Sequence, residues 1–157
     1  MHPRAQQVQR ALAGLGVNIE VRELPDSTRT SVEAAAAIGT TVAQIAKSLI
    51  FLHGGQAVLA IVSGANRVST DKLAARLGAA ITQPDAKAVK RLTGYSAGGV
   101  PPVGYARQPA TFIDEDLLQY DTVWAAAGTP HAVFALRPAQ LVSLTSGHVM
   151  DLKGEWR

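Results

Sequence analysis

Two apolar runs separated by a pair of glycines constrain the fold of this chain more than any other feature of its sequence. Residues 47–52 alternate in the manner of a strand, whereas residues 57–62 are continuously apolar, like a strand buried on both faces. Gly54 and Gly55 between them predict a tight turn, because glycine adopts positive φ angles without steric cost. The sequence therefore predicts a β-hairpin whose second strand is central in a sheet.

Helices and strands interleave irregularly around this hairpin, without a steady strand–helix–strand rhythm. This order predicts an α+β fold with a mixed, strongly curved, barrel-like sheet and surrounding helices, rather than a doubly wound fold. The predicted helices are residues 3–15, one from the Thr30 capping box to Gly39, a shorter one after Thr41, one from Ser69 or Thr70 to Gly78, one near Pro84 that carries Lys87, a short one from Asp114 and one led by Pro138. The other predicted strands are one that begins at Val17 and ends at Pro25, and residues 111–113, 122–127, 132–136 and 148–152.

Length and composition exclude several classes of protein. A chain of 157 residues predicts one domain over residues 1–157, large enough to bury a core without disulfides or metals. The absence of cysteine excludes a disulfide framework, a thiolate nucleophile and cysteine-ligated zinc. The four histidines lack metal-ligand spacing, so we expect no metal and no cofactor. No signal pattern and no apolar run of about 18 residues is present, which predicts a soluble, cytoplasmic protein without a membrane partner.

The positive charge of the chain is concentrated in its middle. Residues 66–107 hold seven Lys and Arg against two Asp, a local charge of +5 in a chain of net charge +3. Lys87, Lys90 and Arg91 share one face of their predicted helix and are candidates for contacts with nucleic-acid phosphates. The alternative is an ordinary solvated face. With three Tyr, three Phe and two Trp for stacking, sequence-specific reading of bases is not expected.

Lys47 occupies a position where a lysine is costly. Strand alternation places it on the same face as Leu49 and Phe51. In one interpretation its stem packs on apolar neighbours while the ammonium reaches water. In the other it lies at the rim of an apolar pocket, where desolvation lowers its pKa and a substrate oxygen or phosphate becomes its partner.

The segment 94–104 is too rich in Gly and Pro to form a helix or a central strand, and it exposes backbone amides. Its first five residues, including Ser96, match the nucleophile-elbow pattern of α/β-hydrolases. That elbow requires a strand before the serine and a helix after it. Here a helix is predicted before Ser96, and Pro101 and Pro102 follow it, which argues against a serine hydrolase.

Three blocks together resemble the YbaK/EbsC-type aminoacyl-tRNA deacylases, relatives of the editing domain of bacterial prolyl-tRNA synthetases. The resemblance spans nearly the whole chain, and it implies the fold of that family. The first block is Thr30 with Glu33-Ala34-Ala35 and Gly39, leading into Gln44-Ile45-Ala46-Lys47-Ser48-Leu49; the second is Gly94-Tyr95 with Gly98-Gly99-Val100 and Pro102-Val103-Gly104; the third is Ala127-Gly128-Thr129-Pro130-His131 with Leu136 and Pro138.

The resemblance implies both a reaction and its residues. In the family, the lysine that matches Lys47 is most closely tied to activity, and the glycine loop contributes backbone groups to the aminoacyl pocket. The implied reaction is hydrolysis in trans of the ester between a wrong, small amino acid and the terminal adenosine of tRNA, as in Cys-tRNA(Pro) or Ala-tRNA(Pro). The implied partners are the 3′ acceptor end of aminoacyl-tRNA and a prolyl-tRNA synthetase. The candidate substrate-binding residues are Thr30, Ser48, Gly98, Gly99, Val100, Thr129 and His131.

The chain can perform such a reaction without a protein nucleophile. Water, or a group of the substrate itself, attacks the ester, while Lys47 and the loop amides of residues 98–100 hold the ester and the terminal nucleotide. Lys47 binding a terminal phosphate remains an alternative role. The sequence leaves the edited amino acid open, because a pocket discriminates small side chains by only about 1–3 kcal/mol per methylene. A noncatalytic module that binds tRNA, a nucleotide or the synthetase is the alternative function.

Overall fold

The computed structural model describes residues 1–155, and the last two residues of the predicted domain, 156 and 157, lie outside the described part. Five α-helices, nine strands and two 3₁₀ turns cover this part of the chain. The helices are α1 Pro3–Gly14, α2 Ser31–Ile38, α3 Thr70–Leu77, α4 Ala86–Thr93 and α5 Pro138–Thr145, and the 3₁₀ turns are Val42–Gln44 and Glu115–Gln119. The strands are β1 Arg22–Glu23, β2 Ile45–His53, β3 Gln56–Ser63, β4 Arg67–Val68, β5 Ala110–Asp114, β6 Val123–Ala126, β7 Ala132–Leu136, β8 His148–Met150 and β9 Lys153–Gly154.

The main sheet is mixed and open. Its seven strands lie in the order β1-β7-β6-β2-β3-β5-β8, and β4 pairs with β9 in a separate two-stranded sheet. The predicted α+β class with a mixed sheet is confirmed, because the pairs β2–β6, β3–β5 and β5–β8 are parallel and the remaining pairs are antiparallel. The predicted barrel-like curvature is not supported. A barrel closes by pairing its two edge strands, and within residues 1–155 the edges β1 and β8 are short strands at opposite ends of the sheet.

The predicted hairpin forms the centre of this sheet. β2 and β3 pair from Ala46 and Ser63 to His53 and Gln56, and Gly54 and Gly55 have φ angles of 57° and 79°. Two successive positive φ angles are what a tight hairpin turn requires, which explains the pair of glycines. β2 begins at Ile45, two residues before the predicted start.

The core lies on both faces of the hairpin. Leu59 and Ile61 of β3 belong to the larger apolar cluster, while Val58, Ala60 and Val62 belong to a second cluster on the opposite face. Alternating residues of a strand point to opposite faces, so β3 is buried on both sides, as its continuous apolar run predicts. A third, small cluster packs α2 onto the start of β2.

The strand predicted from Val17 to Pro25 forms only in part, over Arg22–Glu23. Residues 17–21 are irregular, and the strand pairing begins at Arg22, which lies opposite Val133 of β7. The side chain of Gln9 in α1 replaces a strand partner: its Nε2 donates to the carbonyl of Ile19 (2.7 Å), and its Oε1 accepts from the amide of Val21 (2.8 Å). Apolar and polar residues alternate in residues 17–21 because one side of the segment packs against α1, and these residues are not part of the sheet.

Helix boundaries follow the capping residues closely. Thr30 caps α2, Ser69 caps α3, and Gly39 and Gly78 end these helices with positive φ angles. The N-cap of α4 is Asp85, so Pro84 precedes the helix instead of lying in its first turn. The predicted final strand 148–152 forms only over His148–Met150, as β8, and β9 begins after it and belongs to the other sheet. None of the helices in residues 1–155 combines the length and the apolar character needed to cross a membrane.

Candidate active site

A cavity opens where two neighbouring parallel strands stop pairing. β2 and β6 pair only at Ile45 with Trp124 and Ala46 with Ala125, and β6 ends at the next residue. The cavity holds about 450 Å³ of empty space, including its mouth to solvent. Its walls come from segments far apart in sequence: residues 28–31 with Ala34 and Ile38, residues 45–48, Ala97, Gly98 and Val100, and residues 124–126 with Val133.

Lys47 lies in the wall of this cavity. It is the third residue of β2, is half-buried, and pairs with Val62 of β3. Burial lowers the pKa of Lys47 below that of an ordinary lysine. Among residues 1–155 no acidic side chain forms an ion pair with it. The position therefore matches the pocket-rim interpretation, in which the ammonium is available to a ligand.

Three hydroxyl groups in the cavity wall have no hydrogen-bond partner in the described residues: those of Thr28, Ser31 and Ser48. Thr28 is 5% exposed and Ser48 is 8% exposed. A buried hydroxyl without a partner costs about 1–3 kcal/mol, so such groups are uncommon in folded proteins. All three oxygens are buried from solvent, so the hydroxyls add polarity to the wall of an otherwise largely apolar cavity.

The hydroxyl of Thr30, although it belongs to the same wall, is already engaged. It accepts from the amide of Glu33 (3.1 Å), which caps the start of α2, and donates to the Glu33 carboxylate (3.1 Å). Thr30 therefore orients the start of α2. The hydroxyls of its neighbours Thr28 and Ser31 are buried and have no hydrogen-bond partner in residues 1–155.

The glycine loop owes its glycines to two close approaches. A Cβ on Gly98 would lie 2.4 Å from Cγ of Arg29, and a Cβ on Gly99 would lie 2.7 Å from the backbone of Thr129. The Gly99 amide donates to the carbonyl of Ser96 (2.8 Å), and the Gly99 carbonyl accepts from Gly128 (2.9 Å). Gly99 thus joins the loop to the turn after β6, and its amide is not free for a ligand.

The amides of Gly98 and Val100, in contrast, donate to no acceptor in residues 1–155. Both residues lie in the cavity wall with Lys47. The cavity wall consequently contains the Lys47 ammonium, the Arg29 guanidinium and two residues whose backbone N–H groups have no acceptor in residues 1–155. Donors of this kind stabilise negative charge that develops on a carbonyl oxygen, and they also bind phosphate oxygens.

Three residues predicted for the site, Gly99, Thr129 and His131, lie outside the cavity lining. Thr129 is buried, and its hydroxyl accepts from the His131 amide (3.2 Å). His131 is exposed, with Nδ1 3.1 Å from the carbonyl of Asp26. Both support the turn against which Gly99 packs. Of the predicted residues, the structure brings together Lys47, Thr30, Ser48, Gly98 and Val100 in the cavity wall.

Ser96 lies outside the cavity as well. It follows directly on α4, which ends at Thr93. The strand–serine–helix arrangement of a nucleophile elbow is therefore absent at this position. Within residues 1–155 no three His, Asp or Glu side chains are grouped so as to hold a metal ion.

A basic groove adjoins the cavity. It encloses about 1100 Å³, including open solvent, and Arg29, Ala97 and Gly98 line both spaces. The exposed side chains of Lys87, Lys90 and Arg91 in α4 line its far part. No Asp or Glu lines the groove or the cavity. A continuous positive surface therefore leads from α4 past Arg29 to Lys47, and it is suited to a polyanion.

The sequence interpretation missed Arg29, Thr28, Ser31 and Trp124. The first three lie in the polar segment 26–31, which has the composition of an ordinary connection before a helix. Only the packing of Gly98 against Arg29, and the hydrogen bond from the Thr28 amide to the carbonyl of Pro130 (2.6 Å), place the segment at the cavity. Its run of hydroxyl residues next to the cap is the only available signal.

Comparisons with known proteins agree with this geometry. The family model described as "Aminoacyl-tRNA editing domain" matches residues 25–144. A Bacillus subtilis protein named "Uncharacterized protein YwhH" is 30% identical over 87% of this chain and 88% of its own length. "Putative Cys-tRNA(Pro)/Cys-tRNA(Cys) deacylase EbsC" of Enterococcus faecalis is 28% identical over 75% of this chain and 73% of its own.

A solved structure described as "Crystal structure of a putative trans-editing enzyme for prolyl tRNA synthetase" superimposes with a TM-score of 0.93. It is 46% identical to this chain and covers 99% of each. The match to the family model extends from the segment before α2 to the last residues of α5, and so includes every wall of the cavity. The chain belongs to the YbaK-type aminoacyl-tRNA editing domain family.

Proposed function

We propose that the protein is an aminoacyl-tRNA deacylase that acts in trans on a mischarged tRNA with a small amino acid. The observation that carries this proposal is the cavity beside the half-buried Lys47, which opens into a groove lined by cations and by no carboxylate. An aminoacyl ester at the end of a nucleic acid has the matching chemistry, since a small acyl group adjoins a chain of phosphates. The relative named as a Cys-tRNA deacylase supports the same reaction class.

In this proposal the aminoacyl group lies in the cavity and its ester carbonyl faces the donors. Water adds to the carbonyl carbon, the bond to the ribose oxygen breaks, and that oxygen leaves as a hydroxyl after taking a proton. The Lys47 ammonium and the amides of Gly98 and Val100 stabilise the charge on the carbonyl oxygen. No Asp, Glu or His lines the cavity, so the proton of the attacking water passes to the substrate or to solvent.

The groove holds the single-stranded end of the tRNA through its phosphates. Lys87, Lys90 and Arg91 bind phosphates further from the ester, and Arg29, at the junction of the two spaces, binds the phosphate next to the terminal adenosine. These contacts position the RNA without reading bases. Thr30 and Ser48 complete the substrate-binding residues of the wall, whereas Gly99, Thr129 and His131 act through the turn that supports the loop.

The proposed reaction takes place in the cytoplasm, where tRNAs are charged. A prolyl-tRNA synthetase is the candidate partner, because the similar solved structure is described as a trans-editing enzyme for that synthetase. If the two act together, adding the synthetase raises the deacylation rate of mischarged tRNA(Pro) and leaves other tRNAs unaffected. Equal rates with and without the synthetase would show that the protein acts alone.

The test of the function is deacylation of tRNAs charged with cysteine, alanine, serine, threonine or proline. The wild-type protein is expected to hydrolyse at least one of them above the spontaneous rate. Lys47→Ala is expected to lose on the order of a hundredfold or more of that rate, with its circular dichroism spectrum unchanged. Lys153→Ala, which removes an exposed lysine outside the cavity and the groove, serves as the control. Well-folded wild-type protein that binds these tRNAs and hydrolyses none would instead identify a noncatalytic binding module.

A further inference from the structure

The second half of the glycine loop is buried without belonging to a strand or a helix. Residues 100–104 are all buried, and within residues 1–155 no backbone–backbone hydrogen bond involves residues 100–105. Two of these residues are prolines, which have no N–H group. Because buried carbonyl groups need donors, side chains must supply them here, as Gln108 does for the carbonyl of Pro102 (2.8 Å). Side chains from elsewhere in the chain therefore hold this part of the loop.

Two buried tyrosine hydroxyls donate to this segment, and they differ in how replaceable they are. The carbonyl of Gly104 accepts from the hydroxyl of Tyr95 and also from Nε2 of Gln7 in α1 (3.0 Å). The carbonyl of Pro101 accepts from the hydroxyl of Tyr105, which is its single donor in residues 1–155. Loss of the Tyr105 hydroxyl would consequently leave a buried carbonyl unpaired, directly beside Val100 of the cavity wall.

Tyr105 itself does not line the cavity beside Lys47. Its ring stands edge-on to that of Tyr95, with the centroids 5.6 Å apart and the planes at 83°. It lines a separate cavity of about 1300 Å³, including open solvent, between the hairpin turn and α4. Burial raises the pKa of Tyr105, so the hydroxyl keeps its proton at neutral pH and acts as a donor. Any influence of Tyr105 on the reaction therefore passes through the loop.

We propose that Tyr105 is a positioning residue: its hydrogen bond to Pro101 holds Val100 and the preceding loop in place at the cavity. The inference rests on the proposed deacylase function, in which the amides of Gly98 and Val100 stabilise charge on the carbonyl oxygen. The connection is stiff, because the proline ring fixes φ of Pro101 at about −65° and the peptide bond to Val100 is planar. Donors of this kind must be placed accurately, since a misplacement of about 1 Å can cost on the order of a hundredfold in rate.

The experiment uses Tyr105→Phe, which keeps the ring and removes the hydroxyl. With the mischarged tRNA that the wild-type protein hydrolyses, we expect kcat to fall on the order of tenfold. We expect KM to stay within about twofold, because the cations of α4 and Arg29 that bind the RNA are untouched. Backbone ¹⁵N relaxation tests the loop without any substrate: the order parameters of the Gly98 and Val100 amides are expected to decrease in the variant.

Thr145→Val is the matched control. It also removes a buried hydroxyl that donates to a backbone carbonyl, that of Leu141 (2.8 Å), but it lies in α5, outside the loop and the cavity. Both variants are expected to lower the melting temperature, because each leaves a buried carbonyl with one donor fewer. Only Tyr105→Phe is expected to lower kcat, measured well below both melting temperatures.

Different results overturn different statements. If Tyr105→Phe is less stable but turns over at the wild-type kcat, its hydroxyl is merely structural, so the positioning inference is wrong and the deacylase function stands. An equal loss of kcat in Thr145→Val would assign the effect to general destabilisation and would also overturn the inference. Unchanged order parameters of the Gly98 and Val100 amides would overturn it without reference to activity. If folded wild-type protein hydrolyses no charged tRNA, the deacylase function is wrong and the inference falls with it.

Discussion

Lys47 combines a role in the site with an unfavourable contribution to folding. Burial lowers its pKa, and no acidic partner in residues 1–155 offsets the desolvation. Between the lowered pKa and the ordinary value of 10.5, the unfolded chain binds the proton more tightly than the folded one, so stability rises with pH over that window. Below that window, at neutral pH, the full free-energy cost of burying the Lys47 charge is present.

Lys47→Met is accordingly expected to raise the melting temperature at pH 7 while it abolishes turnover. Methionine retains most of the apolar stem and removes the charge. Thermal denaturation of the two proteins measures the difference, and the difference should shrink as the pH rises through the lowered pKa of Lys47. A variant less stable than wild type at pH 7 would show that the ammonium is stabilised in the free protein.

The pH dependence of activity depends on the same group. If Lys47 acts as an ammonium donor, kcat/KM falls as the pH rises through its lowered pKa, at a lower pH than for an exposed lysine. The rate without enzyme is subtracted at each pH, because aminoacyl esters hydrolyse faster in base. Lys47→Arg keeps its charge at alkaline pH, so any residual activity should lack this decline. A wild-type rate that increases through the same range would assign the active form to the neutral amine.

Arg29 is proposed to bind an RNA phosphate, so its contribution should depend on whether the substrate contains one. Arg29→Met retains a stem to cover Gly98 and removes the guanidinium. It is expected to lower kcat/KM for aminoacyl-tRNA on the order of tenfold and to leave aminoacyl-adenosine, which has no phosphate, unaffected. Arg76→Met, an exposed arginine on α3, is the control. Equal losses with both substrates would show that Arg29 shapes the cavity rather than binding a phosphate.

At the scale of elements, α4 provides a separate test of the groove. Replacing Lys87, Lys90 and Arg91 by Gln keeps the helix propensity and removes three positive charges. If each contacts a phosphate of the single-stranded end, the slope of log K against log salt becomes less steep by about 2. Binding should weaken equally for all tRNAs.

The matched control for α4 replaces Arg10, Arg76 and Arg107, which are exposed and lie outside the groove, by Gln. It changes the net charge of the protein by the same amount. Unchanged salt dependence in the α4 variant, or the same change in both variants, would mean that the cations of α4 do not contact the RNA.

Individual elements could be predicted where local signals decide the structure. The capping residues and terminal glycines of α2 and α3 mark their ends, and the hairpin follows from Gly54 and Gly55. The segment 17–21 could not be assigned, because the same alternating pattern suits a strand and an irregular segment held by Gln9. Partners supplied by a distant helix leave no local signal in the sequence.

At the scale of the whole molecule, the site exists only because segments far apart in sequence meet. Lys47, Ser48 and the glycine loop could be identified from the residues and the family resemblance. The position of Arg29 and the hydroxyls of Thr28 and Ser31 could not, since they depend on how the segment before α2 lies against Gly98. The openness of the sheet also depends on edge strands too short to be recognised in the sequence.

The contact between the glycine loop and the turn after β6 is expected to stabilise the arrangement of the segments that form the cavity. A Cβ on Gly99 would lie 2.7 Å from the Thr129 backbone, so Gly99→Ala must push the two apart. We expect about 1–3 kcal/mol of destabilisation in urea denaturation and a lower rate of deacylation. Gly14→Ala, where no atom lies within 4 Å, should be neutral or slightly stabilising. A Gly99→Ala protein as stable and active as wild type would mean that the contact is dispensable.

The walls of the cavity divide into two parts with separate origins. The donor groups come from β2 and the glycine loop, whereas Ala34 and Ile38 come from α2, a helix outside the sheet. Substitutions of Ala34 or Ile38 therefore alter the volume of the cavity without removing a donor group or a strand pair. Under the proposed function, single substitutions along α2 can change which amino acid is accepted, while the donor groups of β2 and the glycine loop stay the same.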